Sequence, residues 1–408
     1  MYRHILRAMA AFALVVSFWS VLRVGGLAIF DWSAWLVVGA ALPYRVQDRA
    51  LSFSKFELPA AGIWLLAVGG VLSFFSASDV LEHLLKVFAL LLAFCMMLAF
   101  VYVLASKKIF NFAEALSLIV ASGAISSAVV ILQGRFGILT SLVPDTPYGV
   151  QAWSRLTGLT GHPIEAGTTS ALTVVIALGL AIRSRRWLLY LLPVLLGVYS
   201  LKYSASLTAN LALVVGICAV CLYSRAYSVL LVCIVGGSAV MSIALATGAA
   251  GTLLQNRLQH LVSDQGNYES VRSRQTQLEH TFALINAKTI FAGNGYSVGD
   301  LPEGRDVHDS LLAALFHFGI LGLASQCCLV WFFVGKIRAD MPREVKGILV
   351  GCVIVFGAAY LTGPTLSRRS VWIPMFVMGA YLLKYPATRR AKVRSWADVG
   401  QSPIPVPH

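Results

Sequence analysis

The sequence predicts an all-α integral membrane protein, from its composition and from the recurrence of long apolar runs. Of its 408 residues, 58% are hydrophobic and only 12% are charged, and the mean hydropathy is +0.77; soluble domains of this size do not have this balance. Runs of about 18–25 apolar residues, each long enough to cross a bilayer core, recur from end to end. We place about twelve spans: 5–22, 25–43, 58–76, 80–105, 109–132, 163–182, 187–204, 206–224, 227–249, 308–335, 346–363 and 370–385.

The basic residues predict how these spans are oriented. The formal net charge is +14, but it is spread over alternate connections rather than clustered on a soluble face, so nucleic acid is not an expected partner. Cytoplasmic loops are enriched in lysine and arginine. This rule places both termini in the cytoplasm and the long connections 133–162 and 250–307 outside. The residues that set the pattern are Arg45, Arg49, Lys55, Lys107, Lys108, Arg183, Arg185, Arg186, Arg225, Lys336, Arg338, Arg343, Lys346, Arg389, Arg390, Lys392 and Arg394.

The chain is predicted to form one membrane domain over residues 1–385. The first run begins with Arg3 and Arg7, as signal peptides do, but it lacks a small-residue cleavage site and is read as a retained helix. Residues 386–408, with their proline, arginine and serine, predict a disordered cytoplasmic tail. All 7 cysteines lie inside predicted spans, where packing is the expected role.

A short polar stretch before the tenth span is the strongest candidate for chemistry. Asp306 is placed to cap the helix predicted from 308, and Asp309 occupies the position of a capping-box acid. His308 would lie in the first turn, where the helix dipole disfavours imidazolium and keeps the ring neutral. In the plainer alternative, His308 only marks where a membrane helix leaves the lipid.

Other charged residues fall at the predicted outer ends of spans, and ionisable groups at membrane depth often serve a function. Lys86 either reaches an anionic group there or pairs with Glu82, one helical turn earlier. Arg155 is either an outer anion contact or a solvated loop arginine. Lys202 precedes a polar patch that either lines an outer cavity or forms a loop between two short helices.

The outer loop 250–307 is predicted to contain a helix over 270–286. Arg274 lies beside its apolar stripe and Arg272 well off it, so a helix packed by this stripe would hold Arg274 at the surface of the protein or membrane. Gly293 and Gly295 bracket a flexible turn that follows. The stripe consists of Val271, Leu278, Phe282 and Ile285.

These features together resemble the O-antigen ligase and polymerase superfamily of bacterial envelope glycosyltransferases. His308, Asp309 and Gly319-Ile320-Leu321-Gly322 are similar in spacing to the ligase motif. The segment that begins at Arg274 and ends at Leu278 resembles the arginine helix of the family's outer loop, and the Gly-Asn-Gly of 293–295 resembles its glycine turn.

The sequence departs from the family at three positions, and one departure is the missing proline before the Gly-Asn-Gly turn. Asp309 stands where the family has an amide or a hydroxyl. Leu207 follows Ser206 where the family usually has an arginine, and Lys202 is the residue that could supply that charge instead.

The resemblance implies a glycosyltransferase-C-like fold in the bacterial inner membrane. It implies transfer of a glycan from undecaprenyl pyrophosphate, at the periplasmic face, to lipid A core (a ligase) or to a growing polysaccharide (a polymerase); both stay open. No cofactor is expected, because the lipid-linked donor supplies the energy, and the scattered acids of the outer loop predict no metal. The expected catalytic residues are His308, a general base, and Arg274. The expected substrate-binding residues are Lys86, Arg155, Lys202, Arg272, Asp309, Gly293 and Gly295.

A polytopic transporter or flippase for a lipid-linked or anionic substrate is the main alternative from another class. It predicts midplane charges and broken helices in paired halves. The sequence has no repeated halves, and only Asp31 and Glu114 are placed midway in spans. An enzyme is therefore the favoured prediction.

Overall fold

The computed structural model describes residues 2–24, 27–43, 53–140, 156–204, 206–246, 269–297, 307, 309–337, 341–363, 366 and 368–383. Nearly all ordered elements among them are helices, and seven of these helices are long and apolar enough to cross a membrane. The chain is therefore an all-α membrane protein. Each predicted apolar run contains a helix, and the count of about twelve spans stays a prediction.

A small hairpin and two short 3-10 segments accompany the helices. Strands β1 (Arg23–Val24) and β2 (Leu27–Ala28) pair antiparallel between the first two helices, an element that the sequence did not predict. The 3-10 segments Phe53–Phe56 and Phe74–Ser76 flank α3. The helices are α1 (Tyr2–Val15), α2 (Ile29–Ala41), α3 (Glu57–Ser73), α4 (Val80–Ser106), α5 (Phe112–Phe136), α6 (Pro163–Ser184), α7 (Trp187–Ser204), α8 (Leu207–Tyr223), α9 (Tyr227–Ala246), α10 (Glu269–Leu284), α11 (Ala287–Ala292), α12 (Ser310–Val334), α13 (Arg343–Thr362) and α14 (Arg369–Leu382).

Helix α6 is the central helix of the bundle. It is buried along its entire spanning segment and packs against α5, α7, α8 and α13. Small residues allow this close approach: a Cβ at Gly179 would lie 2.1 Å from Ile348 Cγ1. Its buried threonines bond within the helix, as Thr173 Oγ1 does to the Thr169 carbonyl at 2.7 Å. The central helix therefore buries its threonine hydroxyls with their hydrogen bonds made.

An aromatic cluster fixes α14 against its neighbours. The Trp372 ring is fully buried. Its centroid lies 5.0 Å from that of Phe356 on α13 and 5.3 Å from that of Phe94 on α4, both edge-on. Such aromatic pairs add to the stabilisation from buried area. Arg369, the first residue of α14, lies three residues before Trp372 and is thereby held in place.

Helix α12 begins later than predicted. Asp309 is its N-cap, and the Asp309 carboxylate accepts a hydrogen bond from the Leu312 amide at 2.8 Å. The predicted cap at Asp306 is therefore wrong, because a helix has one N-cap and the nearer acid makes the bond. His308 precedes the cap instead of lying in the first turn. Asp306 and His308 themselves lie outside the described residues.

The predicted amphipathic helix forms, and its apolar stripe packs only in part. Helix α10 runs Glu269–Leu284, close to the predicted 270–286. The stripe residues Leu278 and Phe282 are 39% and 61% exposed, whereas Thr281 is fully buried. Ile285, the last residue of the stripe, packs against a buried cluster that includes Phe316, so the stripe contacts the protein only at its end.

Candidate functional site

The helix ends collect into two groups. The basic end contains the start of α1, the α4–α5 connection and the ends of α6 and α14. There Arg7 Nη2 lies 2.8 Å from Glu114 Oε1, and the Tyr381 hydroxyl donates to the Phe110 carbonyl at 3.1 Å. The starts of α2, α4, α6, α12 and α14 lie at the other end, called the opposite end below. Glu114, predicted to lie midway in a span, is a surface residue of the basic end.

The opposite end holds a network of charged side chains in the protein interior, which we call the carboxylate–arginine cluster. Its carboxylates are 1% (Asp31) and 3% (Glu165) exposed, and its arginine side chains are 22% (Arg369) and 30% (Arg368) exposed. It joins α2, α6 and α14. Its members are Asp31, Glu165, Arg368, Arg369 and Ser370.

Asp31 binds the first residue of α14. Arg369 Nη1 donates a hydrogen bond to Asp31 Oδ2, which also accepts from the Ala28 amide at 3.0 Å. Asp31 is in the first turn of α2, where the helix dipole favours a negative charge. The carboxylate is therefore held from two sides and fixes the guanidinium.

Glu165 makes the corresponding contacts on α6. It accepts a hydrogen bond from the Ser370 hydroxyl, and its Oε2 lies 3.6 Å from Arg368 Nη1. Glu165 is in the first turn of α6, after Pro163 at the first helical position. Both carboxylates thus lie at helix N-termini that stabilise them.

The arginines lie where their own helix disfavours them. Arg368 is the N-cap residue of α14 and Arg369 its first residue, and cations are destabilised at a helix N-terminus. Asp31 and Glu165 offset this by direct pairing. Removing Asp31 would leave Arg369, whose side chain is only 22% exposed, without its direct partner, and losing one partner of such a pair is destabilising.

The cluster keeps capacity to bind an anion. Arg369 Nε is buried and has no hydrogen-bond partner among the described residues. Arg23 lies close enough to interact electrostatically with both carboxylates. With Arg23 counted, the cluster has three arginines and two carboxylates, an excess of one positive charge. Arginine binds phosphate oxygens bidentately.

The Gly-Asn-Gly turn is docked into a break in α12. Gly319 has φ 67° and ψ −161°, which interrupts the helix, although the sequence predicted an unbroken one. The carbonyls of Phe316 and His317 accept hydrogen bonds from the Asn294 and Gly295 amides at 2.8 and 3.3 Å. The backbone groups released by the break are thus satisfied by the turn.

Both glycines of the turn are used, though not for the flexibility that the sequence predicted. A Cβ at Gly293 would lie 2.3 Å from the His317 carbonyl oxygen, and Gly293 has φ +77°. Gly295, with φ +94°, places its carbonyl 2.7 Å from Nδ1 of the buried His317 ring. The turn is an anchor that holds α11, and with it the end of α10, against α12.

His83 joins this turn to α4. Its Nε2 lies 2.9 Å from the Gly70 carbonyl, and its Nδ1 accepts from the Tyr296 amide at 2.8 Å. The first contact requires a proton on Nε2 and the second a bare Nδ1, so the ring is neutral. His83 is fully buried, and its role is to hold the turn in place.

Lys86 adopts the paired arrangement that the sequence allowed. Its Nζ lies 2.9 Å from Glu82 Oε1 and 5.5 Å from the centroid of the Tyr296 ring. Lys202, in the last turn of α7, places its Nζ 5.8 Å from the Tyr203 ring centroid. A cation there is favoured by the dipole of α7. Both lysines lie at the opposite end, apart from the carboxylate–arginine cluster.

The remaining predicted site residues are described in part or not at all. Asp309 is the N-cap of α12, and its carboxylate accepts a hydrogen bond from the Leu312 amide. Arg272 and Arg274 belong to α10, and their side chains lie outside the described part of the chain, as Arg155 and His308 do entirely. The structure joins the turn to α12 through backbone hydrogen bonds, and the end of α10 is joined to α11 by the bond from Thr289 Oγ1 to the Leu284 carbonyl.

The sequence prediction missed Arg368 and Arg369, although a signal was present. The segment Ser367-Arg368-Arg369-Ser370 precedes the last span on a connection predicted to lie outside, where the positive-inside rule predicts few cations. Two adjacent arginines that break the predicted orientation pattern are thus the signal of the cluster.

No protein-family model matches this chain, and no curated protein matches it in sequence. Among the described residues, no group of three or more histidine, cysteine, aspartate or glutamate side chains could hold a metal ion.

Proposed function

We propose that this protein transfers a glycan from undecaprenyl pyrophosphate to an acceptor at the outer face of the bacterial inner membrane, as an O-antigen ligase or a polysaccharide polymerase. The observation that carries the proposal is the carboxylate–arginine cluster. It keeps an excess of positive charge at the end of the bundle where a lipid-linked pyrophosphate would arrive, and the sequence motifs of the resemblance lie on elements of that same end.

The orientation follows from the basic end. Its cations include Arg7, Lys107 and Arg183, and the positive-inside rule assigns such an end to the cytoplasm. Both termini are then cytoplasmic, and the opposite end faces the periplasm. A membrane-impermeant thiol reagent should label Asn267→Cys from outside and should not label Arg390→Cys. The reverse pattern would place the cluster in the cytoplasm and overturn the proposal.

The residues fit a single displacement. The acceptor hydroxyl attacks the anomeric carbon while its proton passes to the imidazole of His308. The bond from that carbon to the phosphate oxygen breaks, and undecaprenyl pyrophosphate leaves. Arg368 and Arg274 stabilise the negative charge that develops on it. The configuration at the anomeric carbon is inverted.

Arg369 has a different role from Arg368. Its guanidinium is bound to Asp31 and is the more buried of the two, so it positions the start of α14. Arg368 is the more exposed of the two, and its Nη1 lies 3.6 Å from Glu165 Oε2. Its exposed part is where a pyrophosphate oxygen would bind.

The break in α12 is the observation that favours a transporter or flippase, because transporters bind ions and substrates at broken helices. In those proteins the released backbone groups face the cargo. In this chain they accept hydrogen bonds from Asn294 and Gly295. The break is filled by the chain's own turn, which supports the enzyme.

The test is glycan transfer by the purified protein in proteoliposomes. The donor is an undecaprenyl-pyrophosphate-linked glycan, and the acceptors are lipid A core and, separately, a second lipid-linked glycan. We expect transfer to one acceptor, which distinguishes ligase from polymerase. Movement of the donor between leaflets without transfer to either acceptor would replace the enzyme with a flippase.

A further inference from the structure

A groove at the basic end lies far from the site described above. It has a volume of about 860 Å³ and follows the face of α5 between α1 and α7. Pockets that hold small molecules have volumes of about 300–1,000 Å³. The groove is therefore large enough to hold a molecule, or a substantial part of one.

The lining of the groove is amphipathic. Its polar part carries Arg7, Glu114 and Arg186, and its apolar part is formed by Ala8, Leu118 and Leu189. The hydroxyls of Ser117 and Tyr190 on its floor bond to each other at 2.9 Å. The floor therefore presents few polar groups that a ligand must satisfy.

Two of the three charged groups are committed to each other. Arg7 pairs with Glu114 at 2.8 Å and lies 5.4 Å from the Phe110 ring centroid. Arg186 takes part in none of the ion pairs among the described residues. Its backbone amide is bound to the Ser184 hydroxyl at 3.3 Å, while its side chain is exposed. The groove, which His4 also lines, thus offers the guanidinium of Arg186 beside an apolar channel.

The surface next to the groove is suited to lipid rather than to water. The neighbouring side chains of α7 are apolar and strongly exposed, with Leu188 at 88%, Leu189 at 61% and Leu192 at 63%. A continuous exposed apolar face on a membrane protein is the face that contacts acyl chains. A molecule in the groove would enter from the bilayer.

We propose that this groove binds an anionic phospholipid of the leaflet at the basic end. The headgroup phosphate lies against Arg186, and an acyl chain lies over Ala8 between α1 and α7. Basic pockets between membrane helices on the cytoplasmic side are suited to anionic headgroups. The site is separate from the glycan-transfer site, so either proposal can fail while the other stands.

The test uses the purified full-length protein and counts bound phosphatidylglycerol and phosphatidylcholine by native mass spectrometry. We expect the wild type to prefer phosphatidylglycerol and Arg186→Gln to reduce that preference about fivefold, the factor for one cation near an anionic headgroup. Arg185→Gln is the matched control, because Arg185 lies in the same connection but outside the groove lining. An equal loss of the preference for phosphatidylglycerol in both variants would mean that the lipid is attracted by the general positive charge of this end. That result would overturn the proposed site.

Two further measurements separate a lipid from a free anion. Ala8→Leu fills the apolar part without changing a charge, and because Ala8 is exposed the variant should fold normally. We expect it to weaken phosphatidylglycerol binding as well. Soluble glycerol phosphate should not displace the lipid. Unchanged binding in Ala8→Leu, or displacement by glycerol phosphate, would overturn the proposal.

Discussion

At the basic end, Arg7 and Glu114 form an ion pair whose side chains are 46% and 40% exposed, whereas at the opposite end Arg369 pairs with an aspartate, Asp31, whose side chain is 1% exposed. Exposed pairs contribute about 0–1 kcal/mol, because water screens them. Losing one partner of a buried pair costs about 3–5 kcal/mol, because the other charge stays buried. An ion pair therefore contributes little to stability at the basic end, whereas the pair at the opposite end stabilises the fold.

Other cations of the basic end contact aromatic rings. Arg183 and Lys346 at the basic end lie against aromatic rings, with Cζ 5.8 Å and Nζ 5.2 Å from the ring centroids. Such contacts keep charges at the surface, where they set orientation. At the opposite end, Asp31 and Glu165, both buried, pair with Arg369 and Arg368. The opposite end thus buries two carboxylates in ion pairs, whereas the Arg7–Glu114 pair of the basic end is exposed.

The largest effect is expected from a substitution of His308 at the opposite end. His308→Gln should lower glycan transfer about 10²–10⁴-fold, the usual contribution of a general base. In the wild type, transfer should fall as the pH drops, because protonation removes the acceptor lone pair of the imidazole. The measurement is the initial rate against pH in proteoliposomes. His4→Gln at the basic end is the control and should leave both rate and pH profile unchanged. If His308→Gln keeps the wild-type rate and pH profile, His308 is not the general base.

Asp31→Asn should lower the free energy of unfolding by about 3 kcal/mol, the lower end of the cost of breaking a buried pair, because Arg369 loses its direct partner while its side chain is 22% exposed and still attracted by Glu165. The asparagine can still accept from the Ala28 amide, so the change isolates the charge. Arg7→Gln is the matched change at the basic end and should cost no more than about 1 kcal/mol. Denaturant titration in detergent measures both.

Adding Arg369→Gln to Asp31→Asn should recover part of the stability, because the uncompensated charge is then removed. Equal losses in Asp31→Asn and Arg7→Gln would mean that the two ends do not differ in the way described.

Arg368→Gln should lower transfer about 10²-fold, the size expected for one lost donor to a developing negative charge. Stability should change less than in Asp31→Asn, because Arg368 is partly exposed and 3.6 Å from its carboxylate. Arg225→Gln, an exposed cation of the basic end, should leave transfer unchanged. If Arg368→Gln transfers normally, the cluster is structural only.

Gly293→Ala should destabilise the protein by about 1–3 kcal/mol, the usual cost of overpacking, because its Cβ would meet the His317 carbonyl oxygen. Gly39→Ala is the control, since nothing lies within 4 Å of a Cβ added there. The control should be neutral or slightly stabilising, by less than about 1 kcal/mol. Melting temperatures in detergent compare the two variants. An unchanged melting temperature in Gly293→Ala would mean that the turn is not tightly docked.

Much of the fold could be predicted because membrane helices follow local rules. A run such as 80–105 is apolar over enough residues to span a bilayer, and the structure forms α4 over Val80–Ser106. Which face a helix buries was harder to predict: the stripe of α10 was identified, yet Leu278 and Phe282 are exposed. An apolar stripe faces lipid as readily as protein, and periodicity does not distinguish the two.

The sequence by itself determined the membrane class, the positions of the apolar helices and the segregation of basic residues, because each depends on the composition of a short window. Only the tertiary structure decided the carboxylate–arginine cluster. Asp31 and Arg369 are 338 positions apart, and no local pattern relates them. The break at Gly319 was likewise decided by the bundle, since its released carbonyls are satisfied only when Asn294 and Gly295 are docked beside them.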